Sequence, residues 1–195
     1  MSVVPGRPFD APSPWVARFA ALVASGGPVL DLACGGGRHT RFFLARRHPV
    51  TAIDLDLRGM ADLHGAAGLT LLQADLEGAP WPLAGRFAGI VVTNYLHRPL
   101  FPFLLAALAP AGVLIYETFA RGNERFGRPS SPAFLLQPGE LLELARPGLQ
   151  VVAYEHGVVA SPKAAVVQRL CAVQPANGAA VEAEPMPIPA PNPAQ

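Results

Sequence analysis

Lysine occurs once in the 195 residues, at Lys163, so the basic side chains are almost all arginine, a bias that reflects composition rather than function. Neither sign of charge is in excess. Fifteen Lys and Arg against fourteen Asp and Glu leave a formal net charge of +1, which gives no electrostatic case for nucleic acid as the main partner. The two cysteines, Cys34 and Cys171, are too few for a disulfide framework and fit a reducing cytoplasm. No apolar run approaches the roughly 20 residues that a membrane span requires. The start, MSVVPGRPFD, has no apolar stretch behind positive charge, so no signal peptide is expected. There are no internal repeats.

What is present is a core-forming chain: 51% hydrophobic and 15% charged residues suit one globular domain. Residues 1–11 read as an arm, 12–174 as the domain, and 175–195 as a tail. In that tail Pro185, Pro187, Pro189, Pro191 and Pro193 recur without an aromatic residue, the mark of a disordered, partly polyproline segment. Residues 12–25 read as a helix with Ser13 as N-cap, Pro14 at its first position and Gly26-Gly27 as its stop. Its face of Trp15, Val16, Phe19, Leu22 and Val23 should cover the sheet edge or lid a ligand, with Trp15 and Phe19 serving the core.

The chain is organised around residues 30–38, LDLACGGGR. A short apolar run broken by Asp31 stops at Gly35-Gly36-Gly37, and helix-like spacing resumes at Arg38: strand, glycine turn, helix. Glycines serve where a backbone turns with positive φ or where a ligand meets the main chain without a Cβ in the way. A second buried strand, residues 49–55, carries Asp54 at its end, 19 positions after Gly35. An acid about 20 residues beyond such glycines stands at the tip of the neighbouring parallel strand and accepts the two hydroxyl protons of a ribose. The pair implies a nucleoside-containing cofactor. A dinucleotide fingerprint wants a third glycine where this chain has Thr40, and Asp31 would repel a pyrophosphate while suiting a cationic ligand.

With these residues the chain resembles the class I S-adenosylmethionine-dependent methyltransferases. Their first motif is an apolar pair followed by D-x-G-x-G-x-G, similar to Asp31-Leu32-Ala33-Cys34-Gly35-Gly36-Gly37, with Ala33 in the place of the first glycine. The resemblance runs from about residue 29 to residue 173. It continues through Ala52-Ile53-Asp54 and through Gln73-Ala74-Asp75-Leu76, where the family places an acid beside the adenine amino group. The stretches Asn94-Tyr95-Leu96-His97-Arg98-Pro99 and Tyr116-Glu117-Thr118-Phe119 are most similar to small bacterial methyltransferases of the tellurite-resistance type. The resemblance implies S-adenosyl-L-methionine as cofactor and a small-molecule acceptor as partner. It assigns cofactor binding to Asp31, Ala33, Gly35, Gly37, Asp54, Asp75, Leu76 and Asn94, with Leu76 and Trp81 as walls for adenine.

Residues 57–65 read as a short helix, 69–74 as a third strand, 87–93 as a strand buried on both faces, 100–108 as a helix, and 113–118 as a fifth strand. Residues 120–138 are too long and polar for an ordinary connection; with Arg121, Arg125 and Arg128 they read as a substrate loop or lid, or as a solvated insertion. Residues 139–145 read as a last helix, and 149–155 with 164–173 as a closing pair of strands. The class is α/β, a Rossmann-like doubly wound sheet of about seven strands, mostly parallel with an antiparallel C-terminal strand. Such sheets bind ligand outside the carboxyl ends of their strands. In the resembled fold this sets residues 35–37 opposite residues 94–97.

Methyl transfer from a sulfonium needs alignment and desolvation, and needs a base only where the acceptor must lose a proton. The candidates are His97, Tyr95 and Glu117, with His39 weaker. His97 also reads as a loop histidine capping the next helix, and Tyr95, whose phenol ordinarily titrates near pH ~10, also reads as a wall. Arg98 and the loop arginines would steer an anionic acceptor. Cys34 reads as structural. Two other classes stay open: a non-catalytic S-adenosylmethionine-binding protein, which only turnover separates from an enzyme, and a nicotinamide-dependent oxidoreductase, which Thr40 and Asp31 disfavour.

Overall fold

The computed structural model describes residues 11–176 and 188–190. Its frame is a seven-stranded sheet made of β1 (Val29–Leu32), β2 (Val50–Asp54), β3 (Leu69–Gln73), β4 (Phe87–Thr93), β5 (Leu108–Phe119), β6 (Gln150–Val159) and β7 (Ala165–Val173). The order is β3-β2-β1-β4-β5-β7-β6, with β1 to β5 parallel and β7 antiparallel to both of its neighbours. This is the doubly wound α/β sheet expected from the alternation of strands and helices.

Continuous apolar strands give two buried faces because successive side chains point to opposite sides. Leu30, Leu32, Ile90, Val92, Leu114 and Tyr116 pack on one face with residues of α3 (Phe101–Ala107) and α4 (Glu140–Ala145). Val29, Val91, Val113 and Ile115 pack on the other with residues of α1 (Pro14–Phe19) and α2 (Arg38–Leu44). Six residues make a marginal helix in isolation. Burying Trp15, Val16 and Phe19, at roughly 1.5–3 kcal/mol each, is what holds α1 in place.

Several elements are shorter or tighter than their sequence suggests. The expected helix over 12–25 is α-helical only to Phe19, passes through a 3-10 turn at Ala20–Leu22, and ends there. Val23 turns extended and its side chain fills the space over Gly89 of β4, where a Cβ would sit 2.9 Å from Val23 Cγ2. Residues 57–65 hold a 3-10 turn, Arg58–Leu63, kinked at Met60, which is fully buried. β5 begins five residues early, its extra residues absorbed by a register shift beside Phe87 and a left-handed Ala111, φ 60°.

Residues 1–10 of the expected arm, and 177–187 and 191–195 of the tail expected to be disordered, lie outside the described residues. Pro175 is still buried, and the Pro189 carbonyl accepts a hydrogen bond from Arg18 Nε at 2.9 Å. Among the described residues no helix is long and apolar enough to cross a membrane.

Candidate functional site

The glycine turn leaves β1 through Ala33 in left-handed backbone, φ 54°, and enters α2 through Gly37, φ 76°. A Cβ on Gly37 would come within 2.8 Å of Met60 Cε, so that position is closed to side chains from below. Gly35 and Gly36 are the reverse case, since Cβ atoms there would meet nothing within 4 Å. Their main chain faces open space, the arrangement that lets a ligand lie against the backbone. Beneath the turn, buried Asp31 accepts a hydrogen bond from Thr40 Oγ1 at 2.6 Å. Burial raises its carboxyl from 3.8 to about 6 even though Thr40 and Arg38 oppose the rise. Cys34 sits 3.4 Å from Met60 Sδ, its thiol pushed well up by burial and by the charges of Asp31 and Asp54, which fits a structural role.

Above the turn lies a cavity of about 760 Å³, lined among others by Ala33, Gly35, Gly36, Asp54, Asn94 and Tyr95. It opens where the strand order reverses, between β1 with its neighbour β2 on one side and β4 on the other. Asp54 Oδ2 accepts from Gly35 N at 2.8 Å and Oδ1 accepts from Asp56 N at 3.0 Å. Each oxygen is thereby oriented and keeps acceptor capacity for one more donor. Across the cavity Asn94 takes the left-handed conformation, φ 57°, and donates its N–H to the Glu117 carbonyl at 2.9 Å. The Tyr95 hydroxyl is buried and makes no hydrogen bond; burial first, then the nearby charge of Glu77, holds its pKa well above the ordinary phenol value.

A second cavity, of about 350 Å³, shares Arg38 and Asn94 with the first. Its walls come from the start of α1, the end of β5, the 120–138 loop and the β6–β7 hairpin. One polar network closes its floor. Ser13 Oγ caps α1 by accepting from Trp15 N at 3.2 Å and donates to Glu117 Oε1 at 3.0 Å. The other Glu117 oxygen accepts from Arg169 Nε, and Arg169 also reaches Glu155 at 3.2 Å. The Ser13 N–H donates to His39 Nε2 at 3.1 Å. Burial, helped by the charge of Arg38, pushes His39 from 6.5 down to about 3, so the ring is neutral and its Nε2 lone pair is in use.

The structure therefore gathers Ala33, Gly35, Asp54, Asn94 and Tyr95 around the first cavity and Glu117 at the second. Asp31 and Gly37 support the turn from beneath. Asp75 and Leu76 line neither cavity: Asp75 caps its own turn by accepting from the N–H groups of Glu77 and Gly78, and Leu76 is buried. His97 lines neither as well, with Nδ1 4.0 Å from Glu77 Oε2. Arg98 is engaged by Glu140 and by the carbonyls of Ala133 and Leu135, which fastens the 120–138 loop to α4. Sequence reading missed Ser13, Arg38, Lys163 and Arg169 as wall residues. Ser13 and Arg38 stand at helix starts and Lys163 in the β6–β7 turn, while Arg169 is a lone charge in the middle of the apolar β7.

No protein-family model matches the chain, and no curated protein sequence does. Solved structures match it in fold. TehB from Haemophilus influenzae superposes with a TM-score of 0.66 at 18% identity over 80% of this chain, which spans only 60% of that one. The 1,6-didemethyltoxoflavin-N1-methyltransferase of Burkholderia thailandensis, crystallised with 1,6-didemethyltoxoflavin and S-adenosylhomocysteine, gives 0.61 at 22% identity over 83% of this chain and 76% of its own. An S-adenosylmethionine-dependent methyltransferase from Mesorhizobium loti gives 0.63 at 16%, over 83% and 98%. At such identities the likeness is one of fold, and the Rossmann-like doubly wound α/β fold expected from the sequence is the one observed.

Proposed function

We propose that this chain is an S-adenosyl-L-methionine-dependent methyltransferase acting on a small-molecule acceptor in a reducing cytoplasm. The observation that carries the reading is the bond from Gly35 N to Asp54 Oδ2, 2.8 Å, at the rim of a cavity whose glycine floor is bare main chain. The residues fit the cofactor: an oriented carboxylate with acceptor capacity left for a ribose diol, beside backbone that no Cβ covers. When bound, the cofactor supplies a methyl group already activated by its sulfonium charge.

The protein's own contribution is then alignment and exclusion of water. Asp54 and the glycine turn fix the nucleoside end, Tyr95 walls the first cavity, and Asn94 stands where that cavity meets the second, which takes the acceptor. None of the candidate bases stands free there. Glu117 has both oxygens engaged, Tyr95 is held as the neutral phenol, His39 spends its lone pair on Ser13, and His97 is outside both cavities. Transfer in this site is an in-line displacement by an acceptor atom that already offers a lone pair. Holding it in line supplies an effective molarity on the order of 10⁵ M or more.

Calorimetry with S-adenosylmethionine and S-adenosylhomocysteine tests the reading. The wild type should bind both, and Asp54→Ala should lose at least ~100-fold, since each charge-assisted hydrogen bond is worth about 1.5–3 kcal/mol. Unchanged affinity in a folded Asp54→Ala protein would sink the ribose assignment. A screen for S-adenosylhomocysteine release against small thiols, amines, carboxylates and oxyanions then tests turnover.

A further inference from the structure

We infer that the second cavity is an acceptor site for a small organic anion, a carboxylate on an apolar body. The inference rests on the methyl-transfer reading above and names its substrate class. The cavity is lined by four cationic side chains, Arg38, Arg128, Lys163 and Arg169, against one carboxylate, Glu117. Arg169 is already committed: Glu117 and Glu155 both take it, and Arg18, 3.8 Å from Glu155, balances the set. Arg38, Arg128 and Lys163 have no carboxylate partner among the described residues. In a chain of net charge +1, three cations around 350 Å³ with no carboxylate partner among the described residues are a local feature and not a general bias.

Two of them separate the acceptor from the cofactor. Arg38 lines both cavities and is placed to serve the cofactor's own carboxylate, whereas Arg128 and Lys163 line the second cavity alone. They come from different elements, the 120–138 loop and the β6–β7 hairpin, and line the same cavity. A Cβ on Gly127 would stand 3.3 Å from Lys163 Nζ, so the ammonium lies against the residue that precedes Arg128 in the loop. Buried Asn123 fixes this juxtaposition by accepting from Val166 N at 3.2 Å and donating to the Pro129 carbonyl at 2.9 Å. Both residues are exposed, and an anion in the cavity would give each a charge partner.

The rest of the wall excludes a bare inorganic ion as the fitted ligand. Phe119, Phe126, Val159 and Val167 present apolar surface that an inorganic oxyanion leaves uncovered and hydrated. A ligand with one charged end and an apolar body satisfies both parts of the site. The carboxylate is the recognition handle, held by Arg128 and Lys163.

The test is calorimetry on the full chain, with and without saturating S-adenosylhomocysteine. The probes are phenylacetate, benzoate and hexanoate, each beside its primary amide, with sodium sulfate as the inorganic probe. At least one carboxylate should bind about 10-fold or more tighter than its amide. The variant with Arg128→Gln and Lys163→Gln should erase that preference while its affinity for S-adenosylhomocysteine stays within about twofold. Three results overturn the inference: no carboxylate outbinding its amide, a preference that survives in the double variant, or sulfate binding as tightly as the best carboxylate. Absence of S-adenosylhomocysteine binding in the wild type would instead sink the methyltransferase reading, and the titrations without it keep the two failures apart.

Discussion

Around the glycine turn the contacts that shape the wall join near neighbours in sequence: Gly35 to Asp54 across 19 residues and Thr40 to Asp31 across 9. The second cavity is closed by contacts of another range, Ser13 to Glu117 across 104 residues and Glu117 to Arg169 across 52. Local contacts of the first kind are set by a motif that one βα unit contains. Those of the second kind exist only once four segments have met, so they follow from packing and no short motif announces them. The difference predicts that the turn tolerates damage to the remote network better than the acceptor cavity does.

The two regions are joined at His39 and Asp31, and acid should expose the join. His39 is neutral in the fold and pushed down to about 3, so only the unfolded chain takes its proton between pH ~6.5 and 3, and stability falls on acidification. Asp31 is raised to about 6, so the folded state holds the proton that the unfolded chain has lost between pH ~4 and 6. Its contribution therefore rises as pH falls and offsets part of the histidine effect. Urea unfolding of Asp31→Asn at pH 6.5 and pH 4 should show a loss roughly 2–3 kcal/mol larger than in the wild type. Equal losses would mean that Asp31 is not buried as a titrating group.

A smaller effect separates the regions directly. Ser13→Ala removes the α1 cap and a donor to buried Glu117, and should cost about 1–3 kcal/mol in urea melts. S-adenosylhomocysteine affinity should change less than about threefold, because the Ser13 side chain bonds Trp15 N and Glu117 and does not line the first cavity. A large loss of cofactor affinity would show that the two regions are one cooperative unit and would break the distinction drawn between them.

The smallest effect falls on the turn itself. Ala33 at φ 54° holds a conformation that costs an L-residue about 1–2 kcal/mol, part of which glycine repays in unfolded-chain entropy. Ala33→Gly should raise stability by about 0.5–1 kcal/mol, seen as a higher melting temperature. A fall would mean that the Ala33 methyl packs well enough to outweigh its backbone.

The sheet and the first cavity were legible because alternating apolar strands, glycines and an acid 19 residues on are local signals with a fixed spatial meaning. Ala33 was legible too, as the residue standing where the resembled motif has a glycine. Its positive φ shows why a glycine suits that place. His97 illustrates the limit: its place after the fourth strand pointed to the switch point, yet the chain turns at left-handed Asn94 and carries His97 toward Glu77 instead. Arg98 was read as free to steer an anion, and the structure shows it engaged by Glu140 and loop carbonyls.

The sequence by itself determined the doubly wound sheet, the glycine turn and its pairing with Asp54, since each is a matter of period, backbone freedom or short chain separation. Only the tertiary structure decided which charges remain unpaired. Arg38 and Arg128 differ from Arg98 and Arg169 in nothing that a sequence displays. They differ in whether a carboxylate from a distant element arrives beside them, and the packing of the whole chain settles that.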